Sequence, residues 1–149
     1  MRAVPRIIKS VLIPIGIDSD EQTLLKLGQA VAREVTLVGV VPILEGESLS
    51  QGVHAARQIR ERLLSLSSPS VIFNSKVIVS ETPWRDLQSI LAKAKPDLLM
   101  LEWKEGQISF GISVSSALST SHCNVAVVRG TTPIKLDQVL VAVRGGPYA

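Results

Sequence analysis

The chain has 149 residues, enough for one domain with a sizeable core. Its 46% hydrophobic and 19% charged residues exclude a disordered chain, and its mean hydropathy of +0.30 comes without any apolar run near the ~20 residues of a membrane span. A net charge of +3 with no Lys/Arg run and 3% aromatics offers neither clustered charge nor stacking platforms for nucleic acid, and the lone Cys123 excludes an internal disulfide and fits a reducing cytoplasm.

Apolar, β-rich runs alternate with amphipathic helical patterns along the chain. The first strand is expected over residues 10–15. A helix follows from about Asp20, with Leu24, Leu27, Gly28 and Val31 on one face. Asp18, Ser19 and Asp20 all suit its N-cap, and the cap is assigned to Asp18. The second strand covers 35–41 and is closed by Pro42. A polar loop leads to a second helix, where Val53, Ala56, Ile59 or Arg60, Leu63 and Leu66 recur at helical spacing until Ser67-Ser-Pro-Ser70 ends it.

The third strand, 71–79, has polar residues in its middle, which suits an edge or half-exposed position. Pro83 stands where the third helix begins, and Leu87, Ile90, Leu91 and Ala94 give it a buried face. Pro96 and Asp97 break that helix before the fourth strand, 98–101. A last helix over about 113–121 turns Val114, Ala117 and Leu118 inward, and a fifth strand covers 124–129.

This alternation implies an α/β fold: a doubly wound, open, parallel five-stranded sheet with helices on both faces. The surplus apolarity agrees with a parallel sheet covered on both sides. Such sheets take ligands beyond the carboxyl ends of their strands, here the segments after Ile15, Val41, Val79 and Leu101.

The opening also recurs. Lys9-Ser-Val-Leu-Ile-Pro-Ile-Gly16 and Asp137-Gln-Val-Leu-Val-Ala-Val-Arg144 each read as a polar lead-in, a five-residue apolar run and a loop, about one small domain apart. Residues 1–130 therefore read as one complete domain. Residues 131–149 read as a linker and the first strand of a truncated second copy, an extra C-terminal strand that must add to a sheet edge.

Asp97-Leu-Leu-Met-Leu-Glu-Trp103, Phe110-Gly-Ile-Ser-Val114 and Ser121-His-Cys-Asn-Val-Ala-Val-Val-Arg129 together resemble the C-terminal third of universal stress protein domains. Trp103 and the closing Cys-Asn-Val-Ala-Val-Val-Arg look most like the tandem stress-protein domains in cytoplasmic tails of bacterial membrane transporters. The resemblance implies a nucleotide site built from a glycine-rich loop after the fourth strand, an aspartate closing the first strand, and a helix N-terminus that favours the phosphate. The chain departs from that pattern. Gly111 keeps the last glycine position, but Ile112 stands where Ser or Thr belongs, Leu101 stands at the second glycine, and Gly16 replaces the strand-one aspartate.

The candidate ligand-contacting residues are Gly16, Asp18, Val41, Trp103, Gly106, Ser109, Gly111 and Ser113. The glycines and serines are those a phosphate would need near the last helix; loop geometry, packing and capping explain them without a ligand, and for Gly106 and Gly111 that is the favoured reading. Trp103 is placed to stack on a base or to pack over the sheet end. No nucleophile motif, P-loop, carboxylate pair or Cys/His cluster accompanies them, so no enzymatic activity and no metal are expected. The expected function is a universal-stress-like regulatory or interaction domain with a degenerate nucleotide-binding loop, cytoplasmic and suited to a transporter tail. It is expected to pair as a homodimer through sheet-edge strands or with a second stress-protein domain, and to bind no nucleic acid. An ATP- or AMP-binding universal stress protein is the alternative.

Overall fold

The computed structural model describes residues 8–66, 72–104, 107–108, 110 and 113–130. In chain order they form β1 (Ser10–Ile15), α1 (Glu21–Val31), β2 (Glu34–Pro42), α2 (Leu49–Ser65), β3 (Ile72–Ser80) and α3 (Pro83–Ala94). Then follow β4 (Leu98–Lys104), β5 (Gln107–Ile108), α4 (Val114–Thr120) and β6 (Asn124–Val128). Five strands run parallel in the order β3-β2-β1-β4-β6, and β5 folds back antiparallel on the end of β4, pairing Trp103 with Ile108. The doubly wound sheet expected from the sequence is the one observed. The predicted C-terminal strand lies outside the described residues.

Strand alternation sorts the core into two layers. Val11, Ile13, Ile15, Val35, Leu37, Leu98 and Met100 face α1 and α2. Leu12, Val38, Val40, Leu99 and Leu101 face α3 and α4. Each central strand is thus apolar on both sides, which is why it reads as a continuous hydrophobic run. Gly39 is fitted to its layer: a Cβ there would stand 2.6 Å from Ile59 Cγ2 and 3.0 Å from Val77 Cγ2, so β2 and β3 pass close under α2.

The helix faces depart from the sequence reading at their margins. α1 buries Leu24, Leu25 and Gly28, while Val31 is exposed, because the helix turns Leu25 rather than Val31 onto the sheet. α2 buries Gly52, Ala56, Ile59 and Leu63 and leaves Val53 exposed; Gly52 lies against Val79, and a Cβ there would meet Val79 Cγ1 at 2.9 Å. Ala94 on α3 and Leu118 on α4 are also exposed. β3 is an edge strand, as the polar residues Asn74, Ser75 and Lys76 in its middle suggest. β4 runs three residues further than the apolar run alone indicates, because its last residues pair with β5 and Glu102 pairs with Val128 of β6.

Two local features position β1 against β4. Asp97 Oδ2 accepts from Lys9 N at 2.8 Å and Ser10 N at 3.2 Å, fixing the start of β1 beside β4. The β1–β4 ladder then stops at Leu12, two residues before Pro14, which has no N–H to donate. Past that ladder, side chains of β4 join the turn after β1: Glu102 to Asp20 N and Lys104 to Asp18 O.

Candidate ligand site at the carboxyl end of the sheet

β1 leads to α1 on one face of the sheet, and β4 leads to α4 on the other. The crevice between the ends of β1 and β4 is therefore the switch point at which doubly wound sheets take ligands. Its walls are the Gly16–Asp20 turn and the end of β4.

The turn is closed locally. Ser19 Oγ accepts from Gly16 N at 2.8 Å, and Ser19 N donates to Gly16 O at 3.2 Å, burying Ser19. Asp20, not Asp18, caps α1: its Oδ1 accepts from Thr23 N at 3.1 Å and its Oδ2 from Thr23 Oγ1 at 2.7 Å. The Thr23 hydroxyl, helped by the Thr23 N–H, holds the Asp20 carboxyl below the usual aspartate value. The cap falls on Asp20 because Ser19 spends its hydroxyl on Gly16, leaving Asp18 exposed further out.

β4 supplies the opposite wall. Even-numbered residues of β4 face α1, so Glu102 and Lys104 project together toward the turn, while Trp103 faces the α3–α4 layer with Leu101. Glu102 is 8% exposed, and its Oε2 accepts from Asp20 N at 3.1 Å. Lys104 Nζ lies 3.4 Å from Glu102 Oε1 and donates to the Asp18 carbonyl. Glu102 and Lys104 thus lace the β1–α1 turn to the end of β4.

Arg62 grips the same turn from α2. Its Nη1 donates to Ile17 O at 2.5 Å and its Nη2 to Ser19 O at 2.8 Å, while the fork also binds both carboxylate oxygens of Glu21. The Arg62 hydrogen bond keeps the Glu21 carboxyl below its usual range, and Glu21 in turn raises the Arg62 guanidinium. Four carboxylates (Asp18, Asp20, Glu21 and Glu102) thus gather at the N-terminus of α1, and the two cations nearest them are bonded to those acids and to turn carbonyls.

Of the candidate residues, Gly16 and Asp18 lie in this turn. Phe110 covers Gly16, with its ring edge 3.7 Å from where a Cβ would stand, and packs with Trp103 against the second core layer. Val41 is buried near the end of β2, so its side chain belongs to the core. Ser113 is the N-cap of α4: its Oγ accepts from Ser116 N at 3.0 Å and donates to Ser116 Oγ. Gly106, Ser109 and Gly111 lie outside the described residues. Sequence reasoning passed over Glu102, Lys104 and Arg62. The first two were visible as charges at alternate positions directly after an apolar strand, and Arg62 as a charge beside the buried Ile59–Leu63 stripe. Among the described residues no group of His, Cys, Asp and Glu could hold a metal ion, and no helix is long and apolar enough to cross a membrane.

No protein-family model matches the chain, and no curated protein matches it in sequence. Solved structures do share its fold. One is a universal stress protein in complex with cAMP, at TM-score 0.54 and 16% identity, covering 83% of this chain and 98% of that one. A hypothetical protein, PH0823, superposes at TM-score 0.58 with 14% identity over 84% of this chain and 99% of its own. A lipopolysaccharide core biosynthesis protein from Thermoplasma volcanium GSS1 superposes at TM-score 0.50 with 15% identity, covering 85% and 99%. At these identities the likeness establishes the fold.

Proposed function

We propose that this chain is a universal-stress-type regulatory or interaction domain in which internal contacts take the place of a nucleotide. The observation that carries this reading is the lacing of the switch-point crevice by Glu102 and Lys104. An anion seated on the α1 side of the crevice would meet four carboxylates, where an anion site needs free N–H groups and uncommitted cations. Of the candidate residues in the loop before the last helix, only Ser113 lies among the described residues, and its Oγ accepts from Ser116 N. The Asp20 amide is already bonded to Glu102, and the Thr23 amide to Asp20. The same reading has the domain act without chemistry of its own, in the cytoplasm, alone or as the tail of a transporter. It docks through sheet-edge strands to a second copy or to a second stress-protein domain.

Isothermal titration calorimetry with Mg·ATP, AMP and cAMP tests it. The expected result is no heat of binding up to millimolar nucleotide. Sedimentation velocity tests the docking part, for which a dimer at micromolar protein is expected and a monomer refutes it. The alternative, an ATP- or AMP-binding stress protein, is favoured by one observation: a universal stress protein that shares this fold holds cAMP. Micromolar nucleotide binding that disappears in Gly111→Val or Ser113→Ala would establish that alternative.

A further inference from the structure

A groove of about 750 Å3 opens at the opposite end of the sheet, between α3 and the turn that joins α4 to β6. Its origin is a mismatch of helices. α3 lies against β2 and β3, whereas α4 lies against β6. α4 has 7 residues to the 12 of α3, about 10 Å against about 18 Å, so it leaves the flank of α3 uncovered. Leu91 and Pro96 are buried beneath the opening, and Arg85, Lys95 and His122 stand exposed around it. Among the described residues no Asp or Glu lines it. On its α4 side the shielded Ser121 Oγ has no hydrogen-bond partner among the described residues.

We propose that this groove binds a small amphipathic organic anion, its apolar body over Leu91 and Pro96 and its acidic group held by the basic rim. The volume falls within the roughly 300–1,000 Å3 of small-molecule sites, and the combination of an apolar floor with a few convergent polar groups is their usual make-up. The carbonyl ends of α3 and α4 also face this end of the sheet. Each carries only about half a negative charge, against the full charge of Lys95 at the C-cap of α3, while Arg85 stands about 15 Å further along that helix. The site is separate from the β1–β4 crevice and does not depend on the function proposed there.

The test uses 8-anilinonaphthalene-1-sulfonate, an aryl body with one sulfonate, and the uncharged N-phenyl-1-naphthylamine, read by fluorescence titration and amide chemical shifts on the full chain. One-to-one binding of the sulfonate is expected, with shifts concentrated on residues 85–96 and 120–123. Arg85→Glu/Lys95→Glu changes only exposed side chains and should weaken the sulfonate by about tenfold while sparing the neutral compound. Ala92→Trp, which fills the groove from an exposed position, should abolish both. Unchanged sulfonate affinity in the charge-reversed protein, or shifts elsewhere, overturns the proposal. Equal affinity for the two compounds overturns the anionic part, and full displacement by millimolar inorganic phosphate overturns the apolar part.

Discussion

Arg62→Ala removes a side chain that ties α2 to the turn after β1. The guanidinium donates to Ile17 O, to Ser19 O and to both oxygens of Glu21. The Glu21 side chain is 16% exposed and that of Arg62 32%. Breaking a fully buried ion pair costs about 3–5 kcal/mol, and losing a hydrogen bond to a charged group about 1.5–3. Since nearly a third of the Arg62 side chain already reaches water, solvent refills part of the gap. The expected loss is therefore about 2–3 kcal/mol, or a fall in Tm of about 5–10 °C for a chain of this size. Arg62→Lys keeps the charge without the fork and should lie between wild type and alanine. The Glu21 carboxyl is held below its ordinary 4.5 by Arg62. A depressed folded value means that the stabilisation is complete above about pH 4.5 and is lost as pH falls through the folded value. Urea denaturation near pH 7 and near pH 3 reads both effects. A deficit under about 0.5 kcal/mol near neutrality, or one of equal size at both pH values, would refute the clamp.

Three further outcomes follow from the packing and from the crevice. Gly39→Ala drives a methyl into Ile59 and Val77 and should cost about 1–3 kcal/mol in urea denaturation, despite the entropy that alanine removes from the unfolded chain. Asp20→Ala removes the cap of α1 and should cost about 0.5–2 kcal/mol, whereas Asp18→Ala should cost under about 0.5, which thermal melts can separate. Glu102→Ala leaves the Asp20 amide without its acceptor and should cost about 1–3 kcal/mol, with faster hydrogen exchange at that amide. Glu102→Gln keeps an acceptor for that amide, loses the ion pair to the exposed Lys104, and should cost under about 1 kcal/mol.

The elements were legible because each strand and helix writes its own period. The run from Val35 to Val41 is apolar on both faces, Pro83 opens α3, and the polar Asn74, Ser75 and Lys76 mark β3 as an edge strand. The margins were less legible. Leu24, Leu27, Gly28 and Val31 form as good a helical stripe as Leu24, Leu25 and Gly28, and the choice depends on how α1 is rolled against β1 and β2, a tertiary quantity. The cap followed the same logic: Asp18, Ser19 and Asp20 are chemically equivalent candidates until Ser19 is engaged by Gly16.

Local period and turn chemistry determined that this chain is a parallel α/β sheet, because they act between residues a few positions apart. The crevice was decided by tertiary structure alone. Asp20 meets Glu102 across 82 residues, Lys104 meets Asp18 across 86, and Arg62 meets Glu21 across 41. The first two pairs exist because β1 lies beside β4, and the third because α1 and α2 cover the same face of the sheet. Strand order is set by which helix covers which face, and no single segment carries that information.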